Sequence, residues 1–250
     1  MRPLPWRSRH ELALPDDLSE TTATLGEMVK FAKENFMEIN KKKTKVLLFN
    51  PRRRGLDFQP EVKLEGEILD VIQQIRLVGL ILTDDLSWKS NTDSLVKRAY
   101  AKLWIIRRLK AMGAAKSTLR LIYFQHIQSI LEFGAPAWNS GISKIESNKL
   151  ERVQRVALRL IYGVGLSYNK LLKEVNLETL VVRRERLCLE FAQKAMKHSK
   201  FKNWFKQVNK GNLLEKAKFA DTIARQRRLS RSPIPYFTRL LNKKNGHIAR

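Results

Sequence analysis

The stretch Ile75–Lys110, IRLVGLILTDDLSWKSNTDSLVKRAYAKLWIIRRLK, constrains the fold more than any other part of the chain. Ile75 to Leu82 is an almost unbroken apolar run with one glycine, Gly79, and reads as a strand. Thr83, Asp84 and Asp85 then make a turn, because short polar side chains bond back to the backbone. A helix is predicted from Asn91 or Thr92, both good N-caps, to just before Gly113, a good C′ residue. Leu95, Ala99, Leu103 and Ile106 fall on one side of it; Lys97, Trp104 and Arg108 fall on the other. One side can enter a core while the other offers cations around an aromatic ring. That second side suits a nucleic-acid backbone.

Charge points the same way. The chain has 49 Lys and Arg against 24 Asp and Glu, a net charge of +25. Such a chain repels itself and seeks polyanions, nucleic acid first and anionic membrane second. No apolar window reaches the length of a membrane span, and no apolar core follows the arginines near Met1, so neither a membrane anchor nor a secretory signal is expected. Cys188, the one cysteine, excludes an internal disulfide and a Cys-based zinc site. Lying between Leu187 and Leu189 it reads as a small core residue, and the expected compartment is reducing, nuclear or cytoplasmic. The four histidines have no partner at ligand spacing, so no metal site is expected.

Residues 1–20 contain Pro3, Pro5 and Pro15 without sustained periodicity and read as an extended leader. Asp16-Asp17 in that leader reads as a turn and helix-entry pair. An amphipathic helix over Thr21–Glu38 turns Leu25, Met28, Val29, Ala32 and Phe36 inward. After it, Val46 to Phe49 is a buried strand. Lys43 stands at its mouth, where it can reach a phosphate or simply face water. Arg52, Arg53 and Arg54 form an exposed basic loop. Val62–Leu64 and Ile68–Leu69, joined through Glu65-Gly66-Glu67, form a hairpin, giving a small antiparallel sheet backed by the first helix.

The remainder reads as helical. Ser117–Glu132 turns Leu119, Ile122, Tyr123, Ile127 and Ile130 inward and is ended by Pro136, with Trp138 as a packing anchor. Ser143 with Glu146 forms a capping box opening a helix to Tyr162, with Leu150, Val153, Ala157 and Leu160 inside and Arg152, Arg155 and Arg159 as a basic stripe. A short helix covers Ser167–Val175. A surface helix then runs to His198 with Leu187, Phe191 and Ala195 inside and arginines paired to Glu185 and Glu190. Beyond Trp204-Phe205 the apolar rhythm is lost, and Arg225, Arg227 and Arg228 make a nuclear address or a phosphate clamp.

Several segments resemble the reverse transcriptases of non-LTR (LINE-type, jockey-like) retrotransposons where palm gives way to thumb. They are Val78-Gly79-Leu80-Ile81-Leu82, Asp85-Leu86-Ser87-Trp88, Asn91-Thr92 and Ala99 through Arg108. Further matches are Asn40 to Lys45, Leu131-Glu132-Phe133 with Pro136 and Trp138, and Leu177-Glu178 with Leu180 before Arg183-Arg184, so the resemblance spans roughly Met28 to Asn242.

The resemblance implies an α+β, mainly α fold: a small antiparallel β-sheet or hairpin palm remnant with a helix, then a helical thumb-like bundle and a basic tail. Its parts would be the leader at 1–20, the palm remnant at 21–88, the thumb-like domain at 89–205, and a basic, partly disordered tail at 206–250. It favours a phosphate-proximal role for Lys43. Family enzymes hold magnesium on an aromatic-x-Asp-Asp hairpin, and Asp16-Asp17 is preceded by Leu14-Pro15 instead. Asp84-Asp85 lies past the chemistry in the family pattern. The expectation is therefore a truncated fragment with no catalytic residue and no cofactor of its own, magnesium belonging to the intact family enzyme. It would keep contacts to RNA, DNA or an RNA–DNA duplex through Lys43, Lys97, Trp104, Arg108, Arg225, Arg227 and Arg228. Two rivals stand beside it: an active polymerase using Asp16 and Asp17, and a non-enzymatic protein that self-associates through an exposed palm face near Val46–Phe49 and Leu77–Leu82.

Overall fold

In a computed structural model of the protein, the residues described are 19–49, 61–206, 219–220 and 227–244. The fold is α+β and mainly α, and the sheets among the described residues are two-stranded. The chain divides into two compact units, one within Met1–Leu77 and Thr83–Leu86, the other within Val78–Leu82 and Ser87–Arg250.

In the first unit, helix α1 (Ser19–Glu34) presents Leu25 and Val29 to a small core of Val62, Leu64 and Leu69. The helix stops short of Glu38 because Phe36 turns left-handed at φ 57° and Met37 N–H reaches back to Ala32 O at 2.8 Å. Phe36, expected inside, is fully exposed as a result. Strand β1 (Val46–Leu47) is short and half-buried, and it runs parallel to β4 (Val71–Ile72) where an antiparallel sheet was expected. The predicted hairpin is present as β2 (Lys63–Leu64) and β3 (Glu67–Ile68), antiparallel, turning at Glu65 (φ 49°) and Gly66 (φ 86°).

The apolar run Ile75–Leu82 is a hairpin and not one strand: β5 (Gln74–Leu77) pairs with β6 (Leu80–Thr83). Between them Val78 (φ 48°) and Gly79 (φ 84°) are both left-handed, the type I′ pattern that matches strand twist. Gly79 is needed twice over, since a Cβ there would lie 2.9 Å from the Phe133 ring. The turn after β6 matches expectation: Asp85 N–H donates to Asp84 Oδ1 and Thr83 Oγ1 to Asp85 Oδ1, both at 2.8 Å.

The second unit is built around α2 (Lys89–Ala111). The helix begins before the predicted caps: Asn91 and Thr92 are buried in its first turn, and Asn91 Oδ1 accepts Ile81 N–H at 3.1 Å. Its end matches the prediction, with Gly113 left-handed, its N–H on Lys110 O, and Ala114 N–H on Leu109 O. Leu95, Ala99, Leu103 and Ile106 form one wall of the main core.

Opposite them runs a rod of α3 (Lys116–Tyr123), a π-helical segment (Phe124–Gln128) and α4 (Ser129–Glu132). Its core residues Leu119, Tyr123, Ile127 and Leu131 repeat every four positions, which on a regular α-helix advances about 40° per step. The wider π turn takes up that drift and keeps the row on the core. Gly134, left-handed, ends the rod; Pro136 instead sits in the first turn of α5 (Ala135–Trp138). Trp138 is wholly buried and donates Nε1–H to Phe133 O at 2.8 Å, as a packing anchor should.

Helix α6 (Lys144–Tyr162) opens with both arms of the Ser143–Glu146 capping box. Helix α7 (Tyr168–Glu174) follows Ser167, and α8 (Leu180–Lys197) packs on α5 and α6. In the stretch read as a basic tail, α9 (Arg227–Ser230) precedes α10 (Pro233–Lys244), whose Phe237 and Leu241 pack on Cys188, Ala192 and Ala195 of α8. That helix has its own logic: Pro233 at the first position and apolar residues at 236, 237, 240 and 241.

Candidate nucleic-acid interface

Burial of Leu95, Ala99, Leu103 and Ile106 fixes the rotation of α2, so Lys97, Trp104 and Arg108 point outward together. Trp104 is 59% exposed, unusual for an indole that could have packed. Arg98, Lys102 and Arg107 are exposed on the same helix and widen the positive surface beyond the predicted three. Asp93 is the one acidic residue of α2, and Lys149 takes it at 2.5 Å. Among the described residues none of the five exposed cations is in an ion pair. An exposed aromatic ring among unneutralised cations can stack on a base while the cations reach phosphates.

Lys43 belongs to the other unit. Two lysines near it are neutralised: Lys41 by Glu67 at 3.1 Å and Glu65 at 3.6 Å, Lys45 by Asp70. Lys43 itself is exposed, its backbone N–H held by Asn40, with no ion pair among the described residues. Arg225, the Arg52–Arg54 loop and the Asp16-Asp17 pair lie outside the described residues. Arg227 and Arg228 open α9.

The arginines of α8 overturn the expectation of surface pairing with Glu185 and Glu190. Arg183 forks onto Glu132, Nε to Oε1 at 2.5 Å and Nη2 to Oε2 at 3.0 Å. Arg184 is wholly buried: Nε donates to Asn139 Oδ1 at 2.9 Å, Nη2 to Ser147 Oγ at 2.8 Å, and its carbon lies 5.8 Å from the Trp138 ring centre. Burial lowers its pKa from the ordinary arginine value. Phe191, expected inside, is half-exposed and leans on Phe237 at 5.6 Å. The signal for burial of Arg184 was present at i+4: Cys188 and Ala192 continue its row.

A polar chain crosses the helical core. Tyr123 Oη donates to Gln154 Oε1 at 2.5 Å, Gln154 Nε2 to Tyr168 Oη at 2.9 Å, and Tyr168 Oη to Glu151, which also accepts Leu180 N–H at 3.1 Å. Burial first, then the hydrogen bond to Glu151, holds the Tyr168 hydroxyl far above its ordinary pKa; burial does the same for Tyr123. Cys188 is in the core as expected, its thiol pushed up to about 12 by burial. These hydrogen bonds tie α3, α6 and α7 together.

No group of three His, Cys, Asp or Glu side chains among the described residues could hold a metal ion. Asp84 Oδ1 and Asp85 Oδ1 each accept a hydrogen bond within their own turn. No helix among the described residues is long and apolar enough to cross a membrane. Comparison of the chain with family models, with curated proteins and with solved structures finds no match.

Proposed function

We propose that this chain binds the sugar–phosphate backbone of RNA, DNA or an RNA–DNA duplex, as the palm-end and thumb part of a non-LTR reverse transcriptase would, without polymerising by itself. The observation that carries the reading is α2: one face closed into the core, the other presenting Lys97, Trp104 and Arg108 with no carboxylate among the described residues to neutralise them. A net charge of +25 supplies the long-range attraction. Lys43 and the arginines at 225, 227 and 228 add charge. The reading places the chain's work in the nucleus or cytoplasm and assigns no metal to it.

Anisotropy of a labelled RNA–DNA primer–template, titrated at several salt concentrations, tests it. Saturable binding that weakens steeply with salt and drops in the K97A/W104A/R108A variant is expected. Absence of binding at low salt sinks the reading. Magnesium-dependent primer extension that disappears in Asp16→Ala would restore the polymerase.

One observation favours a second reading, self-association through the palm face. Met28, Phe31, Phe36 and Met37 near the end of α1, with Ile68 and Val71 on the strands, are all exposed. Sedimentation showing concentration-dependent dimers, unaffected by nucleic acid, would favour it.

A further inference from the structure

Among the described residues the arginines of α6 have no counter-ions, and the reason is visible residue by residue. Arg152, Arg155 and Arg159 are exposed, spaced three and four apart, and so share one face. Helix α6 has two acidic residues. Glu146 accepts Ser143 N–H at 2.6 Å in the capping box, and Glu151 turns inward to Tyr168 and Leu180 N–H. Neither reaches the stripe, and among the described residues no other carboxylate pairs with it. Like charges at these spacings oppose the helix, so the stripe costs stability in the free protein. Arg155 is also held in position, its guanidinium carbon 4.9 Å from the centre of the Tyr168 ring, and that ring is itself fixed by Glu151 and Gln154.

The stripe borders the α2 surface. Asp93, early in α2, pairs with Lys149, early in α6; Lys110, late in α2, donates to Leu160 O, late in α6, at 2.6 Å. The two helices therefore run side by side in the same direction. Around α2 at about 100° per residue, Asp93 sits about 20° from Trp104 and about 40° from Lys97. Around α6, Lys149 sits about 60° from Arg152. The Asp93–Lys149 pair, half-exposed on both sides, thus marks a seam with one cationic stripe on each flank.

We propose that the two stripes form one composite surface along the α2–α6 seam, and that its occupant is a nucleic-acid backbone touched on α6 by Arg152, Arg155 and Arg159. The inference rests on the nucleic-acid reading above and extends it to a second helix. Charge decides the occupant: a row of unpaired guanidiniums about 10 Å long, at 1.5 Å rise per residue, matches a regularly charged polyanion.

Binding of an RNA–DNA duplex to the full chain, measured against salt, tests it with four variants. R152Q/R155Q/R159Q should flatten the dependence of log K on log salt by about 2–3, and binding at low salt should fall at least tenfold. R152K/R155K/R159K, which keeps the charge, should keep most of the slope. The K30Q/K170Q/K194Q variant removes equal charge from exposed lysines elsewhere and should lower the slope by less than about 1. Unchanged circular dichroism confirms that each variant folds. If the α6 variant behaves like that lysine control while K97A/W104A/R108A still loses binding, the composite surface is wrong and the α2 reading stands. If wild type binds no duplex, both fall. Equal binding of polyglutamate, lost in the same α6 variant, would assign the stripe to an acidic protein.

Discussion

The Nε–H of Arg184 donates to Asn139 Oδ1 at 2.9 Å inside the helical unit, and among the described residues no carboxylate completes the pair. Ser147 Oγ takes Nη2, and Nη1 finds no protein partner. A buried cation with neutral acceptors is expensive, so its replacement separates charge from shape. Arg184→Lys keeps the charge and loses the planar fork that serves α5 and α6 together; it is expected to destabilise by about 2–4 kcal/mol. Arg184→Met removes the charge and leaves Asn139 and Ser147 short of a donor, costing about 1–3 kcal/mol. Urea unfolding ranks them, and a Lys variant more stable than the Met variant would show that the charge is compensated.

The hairpin tip carries a strained valine. Val78 is β-branched, left-handed at φ 48° and 85% exposed, so its side chain contributes little packing to offset the strain. Val78→Asn is expected to raise stability by about 1 kcal/mol, because Asn tolerates the left-handed region and favours this turn. Gly79→Ala should lower it by about 1–3 kcal/mol, since the new methyl meets φ 84° and the Phe133 ring together. Thermal melts of both variants check the pair. Equal midpoints for the two would mean the turn opens in solution.

How much of this could be read beforehand depended on how far each partner lies along the chain. The Ser143–Glu146 box, the Gly113 stop and the two faces of α2 are decided within a few residues, and they were legible. Arg183 and Arg184 were misread because their partners Glu132 and Asn139 are brought near only by the fold. The Val78-Gly79 turn was hidden because a β-branched residue seldom takes that conformation, so the run read as continuous strand. Helix α10 was hidden by the basic residues around it, although its apolar rhythm was there. The outward stripe of α2 was legible as geometry; Arg98, Lys102 and Arg107 needed the helix rotation that burial supplies.

Four weak acids, two buried and two partly buried, set an alkaline limit. Burial raises Cys188 from 9.0 to about 12 and lifts Tyr123, Tyr168 and Tyr236 above 10.0. Below about pH 8 all four are protonated in both states and give no pH dependence. Above it the unfolded chain loses protons that the native state keeps, so the unfolded state binds fewer protons and stability falls as pH rises. Melting midpoints should be level to about pH 8 and then decline toward pH 11. Tyr168→Phe removes one of these protons, so its decline should be shallower even though its neutral-pH midpoint is lower. A parallel decline would mean Tyr168 ionises in the native state.

Stacking and charge at the α2 surface can be told apart. Trp104 adds an aromatic face without charge, whereas Lys97 and Arg108 add charge without one. In single strands a base can leave its neighbours and lie on the indole, an interaction of about 1–3 kcal/mol; in a duplex the bases are already stacked. Trp104→Ala is therefore expected to weaken single-stranded RNA by about tenfold or more, to weaken duplex much less, and to leave the salt slope unchanged for both. K97Q/R108Q should instead lower the slope by about 1.5–2 on either substrate, with little preference between them. Anisotropy titrations of one sequence in single-stranded and duplex form supply both readouts. If Trp104→Ala lowers the slope, the indole acts by positioning the neighbouring cations. If it changes neither affinity nor slope, the bound strand runs along the lysine and arginine side of α2 and leaves the indole in water.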